Sequence, residues 1–259
     1  MFLVSGCSFT DDEQYVDGNG LNWVKQLSNM LNEDYVNLSV GGYCNQNIFN
    51  SVYDEIILNK RSYSKIIVMW SGWERVKFYS KSVNPIAWRK NMAIWGDVYN
   101  PEYYSIPSQE LSEKDKEFYI NRKNKVESWQ EKTDELAYSI RYYDVDDQIN
   151  STLRLQYILQ QECFLRGIPL YYCQGVKEMA HIDEIRHMFK KGTLDKHKNF
   201  DRYVKQFKWY NLIERDNILE GCYRKRYGNN PKLFVPYDSH PSEYGHSLIA
   251  KDLYEFIRK

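Results

Sequence analysis

The chain has 259 residues, 42% hydrophobic and 27% charged, proportions of an ordinary soluble globular protein and too many residues for a minimal, stapled scaffold. Lysine plus arginine equal aspartate plus glutamate at 35 each, which excludes a global field that would gather nucleic acid or an anionic membrane surface. The longest apolar runs, such as Ile66 to Trp70, fall far short of the roughly 20 residues that span a bilayer, and no membrane partner is expected.

The chain opens on a short apolar run, Phe2 to Ser5, that stops at Gly6. Leu21, Val24, Leu27 and Leu31 follow at helical spacing. Tyr35 to Val40 reads as a second strand ending at Gly41-Gly42, and Ile48, Val52, Ile56 and Ile57 place a helix after it. Lys65 to Trp70 is nearly continuous in apolar residues, the pattern of a strand buried on both faces of a parallel sheet. A helix is expected over Gln148 to Arg166, stopped by Gly167, before a fourth strand over Ile168 to Cys173. Pro241 to Lys259 carries Leu248, Ile249, Leu253, Phe256 and Ile257 at helical spacing and closes the chain.

Alternating strands and helices predict one α/β domain over residues 1–259. Two stretches break the rhythm and are expected as insertions. The first, about 77–147, includes a polar helix near Glu110 to Ser128; the second, about 176–231, shows no convincing buried strand. The five cysteines are odd in number and form no CxxC pair, which fits reduced thiols. The N-terminus lacks the charged flank and length of a signal peptide, so a cytoplasmic location is the expectation.

In such a sheet, ligands collect where the carboxyl ends of the strands meet their loops. The loop after the first strand is Gly6-Cys7-Ser8-Phe9-Thr10, in which a serine projects into the crevice. Taken alone, this pentapeptide reads as a turn in which Ser8 and Thr10 satisfy backbone groups. After the second strand, Gly41-Gly42 allow backbone N–H groups to approach a developing oxyanion, and also suit a tight turn. Before the last helix, Asp238-Ser239-His240-Pro241 set an acid beside an imidazole, the base that a serine nucleophile needs.

These blocks, in this order, resemble those of the SGNH, or GDSL-like, hydrolases. The resemblance covers the core strands and leaves out both insertions. It implies a three-layer α/β/α sandwich with a mostly parallel, flavodoxin-like sheet. It also implies an ester hydrolase that works through an acyl-serine, without cofactor or metal, with Ser8 as nucleophile, His240 as base and Asp238 as orienting acid. Gly42 and the N–H of Ser8 are the implied oxyanion donors. Two departures stand out: Asp238 precedes His240 by two residues rather than three, and Trp73 stands where the family has an oxyanion asparagine. Asn45, Ser71 and the indole of Trp73 are the candidate replacements. The expected substrate is an O-acyl ester of a glycan or other small polar molecule, because no extended apolar segment suits a lid over a lipid chain. The rival expectation is an inactive module of the same fold that binds glycan or serves in particle assembly.

Other residues carry weaker signals. His181 and His187 lack the i, i+4 spacing of paired ligands on one helix face, so no metal is expected. Asp11, Asp12, Glu13 and Asp17 read as a solvated acidic loop, with cation or hydroxyl binding as the alternative. Tyr223 to Lys232 reads as a solvated basic run, and His246 as structural.

Overall fold

The computed structural model describes residues 1–12, 21–59, 61–72, 76–77, 93–94, 145–175, 208–214, 216–227, 230–235 and 240–259. Strands β1 (Phe2–Ser5), β2 (Tyr35–Asn37), β3 (Ile66–Trp70), β6 (Leu170–Gln174) and β7 (Ile218–Cys222) form a parallel sheet in the order β2-β1-β3-β6-β7. Val76–Lys77 (β4) and Ala93–Ile94 (β5) pair antiparallel, apart from that sheet.

The two faces of the sheet separate along single strands, because side chains alternate with period two. Leu3, Ile66, Val68, Trp70, Leu170 and Tyr172 meet helices α2 (Asn45–Leu58) and α3 (Val145–Leu165). Phe2, Val4, Ile67, Met69 and Cys173 meet α1 (Trp23–Leu31) and α5 (Glu243–Ile257) on the opposite face. This is a three-layer α/β/α sandwich. All of β1 and β3 is buried, which is why both read as unbroken apolar runs. Each fully buried Leu, Ile or Val contributes about 1.5–3 kcal/mol by leaving water.

Local chemistry sets the element ends. The Asn22 side chain accepts the Lys25 N–H at 3.0 Å, so α1 begins at Trp23 and Leu21 stays outside it, exposed. Gly167, at φ +65°, turns the chain out of α3 into β6. Ile57, expected on the apolar stripe of α2, is exposed, while Val52 and Ile56 are buried.

The stretch 176–231, expected to hold no buried strand, contributes β7, which pairs Tyr172 with Ile218 and Cys173 with Leu219. As an edge strand it need not be apolar throughout, and Glu220-Gly221 hide it in the sequence. The basic run beginning at Tyr223 is likewise packed rather than simply solvated: Tyr223–Tyr227 form α4, Tyr223 is buried, and Arg226 pairs with Asp252 of α5. Most of both expected insertions, the helix near residues 110–128 among them, lies outside the described residues. Among the described residues no helix is long and apolar enough to cross a membrane. Cys7, Cys44, Cys163 and Cys173 are buried and in no disulfide, and burial pushes Cys163 and Cys173 up to about 12, far from thiolate reactivity.

Candidate active site

The sheet order reverses at β1, since β2 lies on one side of it and β3 on the other, and crevices form outside the strand ends at such a point. The loops leaving β1, β2 and β3 therefore converge there.

After β1 the chain makes one tight turn, with the Cys7 carbonyl accepting the N–H groups of Thr10 at 2.8 Å and Asp11 at 3.1 Å. A Cβ on Gly6 would collide with the Thr10 hydroxyl and stand 3.2 Å from the Met69 carbonyl oxygen, so only glycine fits this approach. The two hydroxyls of the turn have different partners. Thr10 faces inward to the Met69 sulfur at 3.4 Å, whereas Ser8 Oγ lies 2.7 Å from His240 Nε2. Sequence allowed both hydroxyls to satisfy backbone groups in the turn; among the described residues neither is bonded to one.

His240 arrives from the other end of the chain on a well-tied backbone. Val235 donates its N–H to the His240 carbonyl at 3.0 Å, Ser242 donates to Leu233 at 2.8 Å, and Phe234 bridges Pro241 antiparallel. Ser242 caps α5 by accepting the Gly245 N–H at 3.1 Å. The imidazole packs on Phe9, ring centroids 5.4 Å apart, and Phe9 meets Tyr223 edge-on. Asp238 and Trp73 lie outside the described residues.

In the second loop, Gly42 has φ +85°, a left-handed conformation that side chains disfavour. Asn45 is buried at the start of α2; its Oδ1 accepts the Ser71 N–H at 2.8 Å and its Nδ2 donates to Thr152 Oγ1 at 3.4 Å. It ties α2 to the end of β3 and to α3. Ser71 is 2% exposed, and its hydroxyl has no hydrogen-bond partner among the described residues.

Three polar residues around this turn carry no signal in the sequence. Asn22 and Asn37 both donate their amides to the Thr10 carbonyl, at 3.2 and 2.7 Å. Asp11, expected in a solvated acidic loop, is buried and accepts the Gly41 N–H at 2.6 Å. Asp12 does stand at the surface, beside Asn22 and Tyr35, while Glu13 and Asp17 lie outside the described residues. No pattern of spacing distinguishes these residues from ordinary loop polarity. Among the described residues no three His, Cys, Asp or Glu side chains cluster as metal ligands; His181 and His187 fall outside them.

His246 is 2% exposed, and its Nδ1 accepts the Trp23 N–H at 3.3 Å. Burial first, and the neighbouring His240 second, lower its pKa to about 4. Between pH 6.5 and 4 the unfolded chain binds a proton there that the folded chain refuses. Its contribution to stability is therefore intact above pH 6.5 and lost as pH falls through that window, by roughly 3 kcal/mol in all. Urea unfolding at pH 7 and pH 4.5 should show this loss in wild type. The loss should shrink in His246→Asn, which keeps an acceptor for Trp23 without a titrating ring; an equal loss in both chains would exclude His246 as its source.

Fold and site together define a doubly wound α/β sandwich with a serine–histidine pair at the carboxyl edge of its sheet. Among solved structures, the chain is similar to TesA at 10% identity and TM-score 0.48, covering 100% of this chain and 98% of that one. It is also similar to the acetyl xylan esterase AlAXEase at 11% identity and TM-score 0.45, covering 98% of both. A member of the lipolytic protein G-D-S-L family from Veillonella parvula DSM 2008 matches at 11% identity and TM-score 0.43, covering 100% and 98%. No family profile and no curated protein matches the chain.

Proposed function

We propose that the chain is a serine ester hydrolase that removes O-acyl groups, for example O-acetyl, from a carbohydrate or other small polar substrate. The observation that carries this reading is the 2.7 Å separation of Ser8 Oγ and His240 Nε2, hydrogen-bond distance for a nucleophile and its base. Neutral His240 takes the Ser8 proton as Oγ bonds to the ester carbonyl carbon and the carbonyl π electrons move to oxygen. The oxyanion collapses, the bond to the alcohol breaks, and His240 gives its proton to the departing oxygen. Water, deprotonated by His240, then attacks the acyl-serine; the carboxylic acid leaves and the proton returns to Oγ. Asp238 serves in this reading to hold the imidazole with its proton on Nδ1.

The oxyanion needs donors. Among the described residues no group accepts the N–H of Ser8 or of Gly42, and both are assigned to it. Asn45 is engaged with Ser71 and Thr152, and the Ser71 hydroxyl, which has no partner among the described residues, is assigned as a side-chain donor where the resemblance implies an asparagine. Ser71→Ala should lower kcat by about 10- to 100-fold with KM nearly unchanged. Unaltered kcat on p-nitrophenyl acetate would remove Ser71 from the site.

Intact-mass analysis with a fluorophosphonate probe tests the whole reading. One adduct on the native chain, mapped to Ser8 and absent after unfolding, is expected. A folded chain that takes no adduct would favour the non-catalytic module instead.

A further inference from the structure

We infer that Asp11 is a positioning residue of this reaction, holding the Gly41–Gly42 turn so that the Gly42 N–H faces the oxyanion; the inference rests on the roles proposed for Ser8 and Gly42. Asp11 lies three residues after Ser8 in the same turn, its own N–H bonded to the Cys7 carbonyl at 3.1 Å. Its side chain reaches across to the second loop, where Oδ2 accepts the Gly41 N–H at 2.6 Å. The residue is only 8% exposed, and a carboxylate buried to that degree is costly unless it is hydrogen-bonded. Charge-assisted bonds of this kind are short and about twice as strong as neutral ones.

The consequence appears in the donors of the turn. The Gly41 N–H goes to Asp11, and the Tyr43 N–H goes to the Val40 carbonyl at 3.1 Å. The Gly42 N–H between them has no acceptor among the described residues. The near end of the same loop is tied separately: Asn37 Nδ2 donates to the Thr10 carbonyl at 2.7 Å, and its Oδ1 accepts the Ser39 N–H at 3.1 Å. Nucleophile turn and glycine turn are thus clasped at both ends of residues 37–42. A negative charge beside an oxyanion opposes its formation, so Asp11 assists through the backbone geometry it imposes, not through its field. An acceptor oxygen matters more than the charge.

The test compares the full-length wild type, Asp11→Asn and Asp11→Ala by p-nitrophenyl acetate kinetics and by the rate of fluorophosphonate labelling, normalised to the labelled end-point. Asp11→Ala should lower kcat and the labelling rate by about 10- to 100-fold with KM within about threefold, the cost of a displaced oxyanion donor. Asp11→Asn, which keeps an acceptor oxygen, should recover most of the rate and remains informative if the alanine variant folds poorly. The acid limb of the pH–rate profile should not move in either variant. Wild-type rates in Asp11→Ala, or a shifted acid limb, would overturn the positioning role while leaving Ser8 and His240 in place. Wild type that neither labels nor turns over would overturn the esterase reading and this inference together.

Discussion

Ser8→Ala should abolish covalent labelling and lower turnover of an ester substrate by about 10⁴-fold or more, and His240→Ala by a similar factor. In the proposed reaction the two groups act as one unit, because an alcohol is a poor nucleophile until a base within hydrogen-bond reach takes its proton. The 2.7 Å separation meets that requirement in the resting chain. The double variant should therefore be little worse than either single one. Neither residue belongs to the apolar core clusters, although His240 packs on Phe9, so thermal midpoints should stay within a few degrees of wild type, separating lost chemistry from lost fold. Additive losses, or labelling that survives Ser8→Ala, would mean that another nucleophile carries the reaction.

Gly245→Ala should destabilise the chain by about 3 kcal/mol, in the upper range for overpacking a filled interior. A Cβ at this position would collide with the Tyr223 hydroxyl and with the Leu233 carbonyl oxygen, and stand 3.0 Å from Tyr223 Cζ. Neither group can retreat easily: Tyr223 donates to the Leu233 carbonyl at 2.7 Å, and Leu233 also takes the Ser242 N–H. The Leu233–Ser242 bond and the Phe234–Pro241 bridge also hold the backbone on either side of His240, so activity should fall together with stability. Urea unfolding of Gly245→Ala, Tyr223→Phe and the double variant would check this. Removing the hydroxyl should return part of the loss, and strict additivity would place the strain elsewhere.

Strands β1 and β3 were legible because burial on both faces demands apolar side chains at every position, and the sequence meets that demand. Strand β7 was not, because an edge strand is stabilised by ladder bonds to β6 that any residue can make. Helix α1 was legible as a stripe, but its first residue was set by Asn22, whose side chain caps Lys25 and whose amide also reaches the Thr10 carbonyl. A residue that serves two elements gives no periodic signal.

The candidate site divides in the same manner. Gly6, Ser8 and His240 stand in compact blocks of unusual residues at strand and helix ends, so the linear order of the chain already suggests what they could do together. Which hydroxyl of the first loop faces the imidazole, and which turns inward, depended on the β1 register and on Met69 beneath Thr10, 59 residues away. Asp11 is the clearest case. In sequence it begins an acidic stretch indistinguishable from a solvated loop, whereas in the fold it is buried against Gly41, 30 residues on. Apolar patterning is a property of each segment and can be read locally. A hydrogen bond to a distant backbone N–H leaves no mark on the residues around it, so folding alone assigned Asp11, Asn37 and Asn45 their partners.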